Sequence, residues 1–148
     1  MKNQIKKKSL ASAVSDSGTP KSLHRIVNDL QIGFLPLSIK KKTTIINDAD
    51  KTLSVFADEN ILAFIIGSII RNAIHSTQNC CVRVEALLQQ NNILIRVSNN
   101  GMFVYSALMH SLRYIEAAAR KLHGNICIQS EEPGEMTVIF CMSNNIAA

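Results

Sequence analysis

No apolar run in this chain approaches the length that a bilayer crossing needs. The longest, Ile61 to Ile70, is interrupted by Gly67 and Ser68 and closed by Arg71, well short of the roughly 20 residues of a membrane-spanning helix. The basic start, Met1 to Lys8, has no apolar core behind it and does not read as a secretory leader. Metal and redox spacings are missing as well. Cys80, Cys81, Cys127 and Cys141 form no CxxC, and the four histidines form no HxxxH or HExxH. Zinc and dithiol chemistry are therefore not indicated, and the cysteines are expected to be buried and reduced. Charge is sparse, 18% of residues against 47% hydrophobic, a globular balance, and 148 residues suffice for one domain with a real core. A soluble, cytoplasmic protein is the simplest expectation.

The net charge of +5 is unevenly placed. Met1 to Lys42 hold nine Lys or Arg against two Asp, whereas the rest of the chain holds seven against nine acidic residues. The run Lys6-Lys7-Lys8 has no aromatic or arginine interleaving, so it reads as a solvated tail and not as a nucleic-acid site.

Met1 to Lys21 mix Lys, Ser, Ala, Gly18 and Pro20 without apolar periodicity and read as a flexible basic arm or linker. The folded domain is expected from Ser22 to Ser143, with a short tail at 144–148. Leu23, Ile26, Val27 and Leu30 recur at helical spacing until Gly33 and Pro36, predicting a first helix broken near Pro36. Thr43 to Ile46 and Leu53 to Phe56 predict two strands, separated by the turn-rich Asn47-Asp48-Ala49-Asp50. Asp58 is a natural N-cap for a long helix carrying Leu62, Ile65, Ile66, Ile69 and Ala73 on one face and ending near Thr77. Cys81 to Leu88 and Ile93 to Ser98 predict a hairpin around Gln89 to Asn92. Leu108, Leu112, Ile115, Ala118, Ala119 and Leu122 predict another amphipathic helix with Gly124 as its C-cap. Asn125 to Ser130 and Met136 to Met142 predict a closing hairpin. That order is α+β: a two-layer α/β sandwich, a mixed sheet with helices on one face.

The run from Ala57-Asp58-Glu59 through Ser68, Arg71-Asn72-Ala73-Ile74 and His75-Ser76-Thr77 resembles the ATP-binding helix of sensor histidine kinases, most closely the Bacteroidetes type. His123-Gly124-Asn125-Ile126 through Ser130 and Gly134 to Thr137 is similar to the closing segment of the same family. The resemblance implies the Bergerat (GHKL) ATPase fold and a place in two-component signalling. It makes Asn72 the asparagine that holds Mg²⁺ beside the nucleotide phosphates, a hard cation wanting oxygen ligands. One turn earlier, where these kinases carry a second polar anchor, stands Ser68, which can hydrogen-bond but carries no charge. By itself, Asn72 also fits a residue that bonds local backbone near a helix end.

The next family motif, DxGxG, reads here Asn99-Asn100-Gly101-Met102-Phe103. Asn99 stands where a carboxylate would accept from the adenine amino group, Gly101 is retained, and Phe103 replaces the second glycine and is a candidate blocker of the pocket. A plain Asn-Gly turn after a strand is the other reading of these residues. The GxGLGL phosphate cradle falls by spacing at His110-Ser111-Leu112-Arg113, without glycine, and too few residues remain for the family's ATP lid. His110 and Arg113 read as solvent-side helix residues. The phosphoacceptor motif is absent too: His24 has neither the acid nor the proline after it and reads as a surface helix residue.

The resemblance thus implies a degenerate histidine-kinase-like domain, a pseudokinase impaired in ATP binding, with no catalytic residue assigned and Ser68, Asn72, Asn99 and Gly101 as a vestigial nucleotide pocket. No cofactor is expected, or Mg-ATP or Mg-ADP with Asn72 on the metal where the pocket works. The expected partner is a response regulator or a kinase protein, with a homodimer open and nucleic acid not indicated. The alternative is the ATP-binding catalytic half of a split sensor kinase that phosphorylates a histidine on a partner chain.

Overall fold

The computed structural model describes residues 19–76, 79–99, 105–130 and 136–144. A two-residue strand β1 (Lys21–Ser22) leads into helix α1 (Leu23–Gly33), where the Ser22 hydroxyl caps the helix by accepting from the Arg25 amide at 3.3 Å. Beyond it the chain does not simply break. Phe34 donates its amide to the Leu30 carbonyl at 2.9 Å and accepts from the Ser38 amide at 2.8 Å, so hydrogen bonding runs through the joint into a second helix, α2 (Leu35–Lys41). Pro36 sits in the first turn of α2, where a missing N–H removes no helical bond.

Strand β2 (Thr44–Ala49) runs through residues expected to be a turn. Asn47 lies in it because its side chain is otherwise engaged: Nδ2 donates to the His24 carbonyl at 3.0 Å, and Oδ1 accepts from the Ala49 amide at 3.1 Å. The turn comes later, where the Asp50 carboxylate accepts from the Thr52 amide and hydroxyl at 2.9 and 2.7 Å. Those bonds, the hydroxyl first, hold the Asp50 carboxyl below its ordinary value. The second expected strand shrinks to β3 (Ser54–Val55), which pairs antiparallel with β1 in a ribbon of its own.

Helix α3 (Glu59–Ser76) starts at Asp58, whose carboxylate accepts from the Asn60 and Ile61 amides at 2.9 and 3.2 Å. Its buried surface is wider than a single stripe, adding Gly67, Ile70 and Ile74 to the expected Leu62, Ile65, Ile66, Ile69 and Ala73. The physical reason is that α3 packs on the sheet, on α1 and α2, and on α4 (Tyr105–Lys121) at once. β4 (Cys81–Gln89) and β5 (Asn92–Asn99) form the predicted hairpin, with Gln90 and Asn91 both at positive φ, 54° and 73°, the geometry of a two-residue turn matched to strand twist. β6 (Asn125–Gln129) and β7 (Met136–Ser143) pair antiparallel at the far edge.

The five-stranded sheet has the order β2-β4-β5-β7-β6, and only the β2–β4 pair is parallel. Alternate residues on it, Val82, Val84, Ala86, Ile93, Ile95, Val97, Val138, Phe140 and Met142, are buried in one core with the helices. The expected two-layer α+β architecture stands. The opposite face is more open, and there the cysteine expectation fails: Cys81 and Cys127 are exposed and Cys80 and Cys141 half-buried. Cys81 and Cys127 are out of phase with the core-facing positions of β4 and β6.

One cap also differs. The left-handed residue that ends α4 is His123, at φ 56°, whose amide donates to the Arg120 carbonyl at 3.0 Å while the Gly124 amide reaches Ala119 at 2.9 Å. Gly124 is required for space, since a Cβ there would lie 2.6 Å from both the Cys141 carbonyl oxygen and the Phe140 ring. No described helix is long and apolar enough to cross a membrane.

Candidate functional site

The site residues read from sequence lie where α3 and α4 meet and at the end of β5. Ser68 and Asn72 are half-buried on α3, one turn apart, and His75 is exposed one turn further on. Asn72 Nδ2 donates to the Ser111 hydroxyl on α4 at 2.7 Å, a direct bond between the two helices. Ser111 stands where spacing places the family's glycine-rich segment, and the sequence did not assign it a bond to Asn72. The signal was present in the pairing of a small hydroxyl with an asparagine, but nothing local reveals a contact across 39 positions.

Asn99 ends β5 in phase with Ile93, Ile95 and Val97, so its side chain belongs to the helix-facing side of the sheet. It is only 4% exposed, and neither its Oδ1 nor its Nδ2 has a hydrogen-bond partner among the described residues. Leaving a buried amide so costs about 1–3 kcal/mol per group, which makes Asn99 a demand for a partner atom. No hydrogen bond joins it to Asn72. Gly101 and the expected blocker Phe103 lie outside the described residues.

As a magnesium site the arrangement is poor. Asn72 offers a hard cation one neutral oxygen, Oδ1, whatever its amide nitrogen does with Ser111, and Ser68 adds only a hydroxyl. Among the described residues no cluster of three His, Cys, Asp or Glu side chains could hold a metal ion. Electrostatics beyond Asn72 are cationic: burial first, then the charges of Arg71, Lys41 and Lys40, hold His75 below its ordinary value. His110 and Arg113 are exposed on α4, as expected, and His24 is half-buried on α1 with its carbonyl bonded to Asn47.

Two depressions flank this junction. A polar cavity of about 440 Å³, lined by Arg83, Glu85, Ser98 and Thr137 with Asn99, lies against positions of the helix-free face. An apolar groove of about 360 Å³ opens between the other ends of α3 and α4, lined by Ile61, Phe64, Tyr114 and Ala118. Asn72 and Ser68 line neither.

The fold is that of the catalytic ATPase domains of histidine kinases. Among solved structures it superposes on the Acinetobacter baumannii histidine kinase AdeS at a TM-score of 0.75 with 15% identity, covering 97% of this chain and 81% of that one. The histidine kinase ThkA, solved in complex with the response regulator protein TrrA, matches at 0.72 with 16% identity, over 86% of this chain and 42% of ThkA. Full-length ShkA in complex with AMPPNP matches at 0.73 with 15% identity, over 87% of this chain and 32% of ShkA. No protein-family model and no curated protein sequence matches this chain.

Proposed function

We propose that this chain is a degenerate histidine-kinase-like ATPase domain of two-component signalling that binds ATP weakly or not at all and acts as a protein-interaction module. The observation that carries the reading is the 2.7 Å bond from Asn72 to Ser111. Phosphoryl transfer depends on positioning and charge neutralisation around the phosphates. Here Asn72 would offer a cation only its Oδ1, while its Nδ2 holds the Ser111 hydroxyl of α4 beside it, a side chain where the family's phosphate-binding glycines are expected. The absence of glycine at His110 to Arg113 supports the same reading, because a side chain cannot substitute for close main-chain amides. A response regulator or a kinase protein is the partner this reading favours, since ThkA was solved with one such protein. The folded unit of the proposal is Ser22 to Ser143, as expected from sequence, except that its first strand begins one residue earlier, at Lys21 paired with Val55.

The experiment is calorimetric titration of the whole chain with Mg-ATP and Mg-ADP. No saturable heat is expected below the millimolar range. A micromolar dissociation constant sinks the reading and favours a second one, in which the chain is the ATP-binding half of a split kinase. What supports that second reading is Asn99, whose buried amide has an unmet acceptor and an unmet donor, the complement of an adenine edge.

A further inference from the structure

We propose that the groove between α2 and the edge strand β2 docks a segment of a partner protein that presents an apolar side chain flanked by carboxylates. This rests on the interaction-module reading and names the surface and the chemistry of its partner.

The α1–α2 rod is apolar on two opposite sides. Leu23, Ile26 and Val27 are buried, with Leu30, Phe34 and Leu37 packed against the same core. On the other side Ile32, Leu35 and Ile39 are 64%, 54% and 69% exposed. At about 100° per residue within each helix, Ile32 lies about 120–180° from the inner residues of α1, and Leu35 and Ile39 lie on the side of α2 opposite Leu37. A single amphipathic face suffices to hold a helix on its own domain, so a second one is surface offered to something else.

Beside that outer stripe lies a groove of about 410 Å³, lined by Gln31, Leu35, Ser38, Ile39, Lys42 and Ile45 among others. Its lining includes an unmet polar group: Ser38 is 7% exposed, and its Oγ has no hydrogen-bond partner among the described residues. Gln31 already donates to the Ile45 carbonyl at 2.8 Å, which holds α1 against β2 and gives the groove a fixed wall. An apolar side chain lodged between Leu35 and Ile39 would gain burial, while a backbone or side-chain polar group would satisfy Ser38.

Charge selects the flanks of that segment. From Gln31 to Asn47 the chain has no acidic residue, and Lys40, Lys41 and Lys42 follow one another at the groove's end. Arg71 of α3 extends the cationic field, since after burial its charge acts together with those of Lys41 and Lys40 in keeping His75 neutral. Carboxylates beside the apolar anchor would meet this field and set orientation and association rate. A concave groove with a buried hydroxyl suits a protruding side chain and not a flat bilayer, so the partner is a protein segment.

The test is selection of a random peptide display library on the immobilised full chain, followed by affinity measurement on the enriched peptides. Expected is enrichment of sequences pairing a Leu, Ile or Phe with Asp or Glu. Leu35→Ser with Ile39→Ser should abolish their binding, and Lys40→Glu with Lys42→Glu should weaken it about tenfold. All four positions are exposed in this structure, and circular dichroism checks that each variant folds. Amide NMR shifts should map to 35–45. No enrichment, enrichment of basic peptides, or peptides that bind the Leu35→Ser/Ile39→Ser variant equally well would overturn the proposal. So would wild-type chain that co-sediments with vesicles of phosphatidylglycerol and phosphatidylcholine, or self-associates, through these same side chains. Nucleotide calorimetry is independent of all these arms: saturation by Mg-ATP refutes the degenerate-domain reading alone, and failure in the groove without nucleotide binding refutes the docking surface alone.

Discussion

Asn72 is half-buried, and what it does is set by one neighbour 39 positions away. Removing either partner should reveal this. Asn72→Ala or Ser111→Ala is expected to lower unfolding stability by about 1 kcal/mol, the net worth of a typical internal hydrogen bond. The double variant should lose less than the sum of the two, because each single change already breaks the shared bond. Urea denaturation of the four forms measures the coupling, and additive losses would mean the bond contributes nothing. His75 makes a second prediction at this scale. Its folded value lies below the ordinary 6.5, so as pH falls through 6.5 the unfolded chain takes up a proton that the folded chain resists. Stability should therefore drop on acidification in that window. His75→Gln should flatten the drop, and Arg71→Gln should move the His75 NMR titration back upward.

The elements were legible where local chemistry decides them. Asp58 before an apolar run, the Gln89–Asn92 polar turn and the α4 periodicity all correspond to observed boundaries within a few residues. What misled was local chemistry overruled by distant partners. Asn47 looks like a turn residue until its side chain is seen tying β2 to α1. Gly124 looks like a left-handed cap, but His123 takes that conformation and the glycine answers to β7. Gly124→Ala should accordingly destabilise by about 1–3 kcal/mol, as overpacking does, with a lowered thermal midpoint. His123→Gly should be neutral or mildly stabilising, since it relieves a positive φ. By contrast the ion pair from Arg25 to Glu59, which links α1 to the start of α3, is half-exposed on the arginine side. Arg25→Ala is expected to change stability by less than about 1 kcal/mol, and a larger loss would mean the pair is better ordered than surface pairs generally are.

At the scale of the whole molecule, the sheet and its helix layer form one core in which Phe140 is among the largest fully buried side chains. Phe140→Ala should cost about 3–5 kcal/mol and leave little folded protein at moderate temperature. The candidate nucleotide site was only half legible. Asn72 and Asn99 were singled out as residues of a vestigial nucleotide pocket, but sequence distance does not reveal that one is engaged by another helix and the other has no hydrogen-bond partner among the described residues. Nor does periodicity in α1–α2 distinguish a second apolar face from an irregular first one. That distinction needs the position of the sheet.

The residues alone settled the α+β order, the capped long helix and the two hairpins, because each rests on propensity, capping or spacing within a few positions of the chain. Only the folded molecule decided that β1 leaves the main sheet to pair with β3, that α4 closes on Asn72, that Asn99 is left without a partner among the described residues, and that Ile32, Leu35 and Ile39 face outward. Those facts depend on which surfaces meet at long range, and a hydrogen bond or a buried face is a property of two segments, which no single stretch of sequence contains.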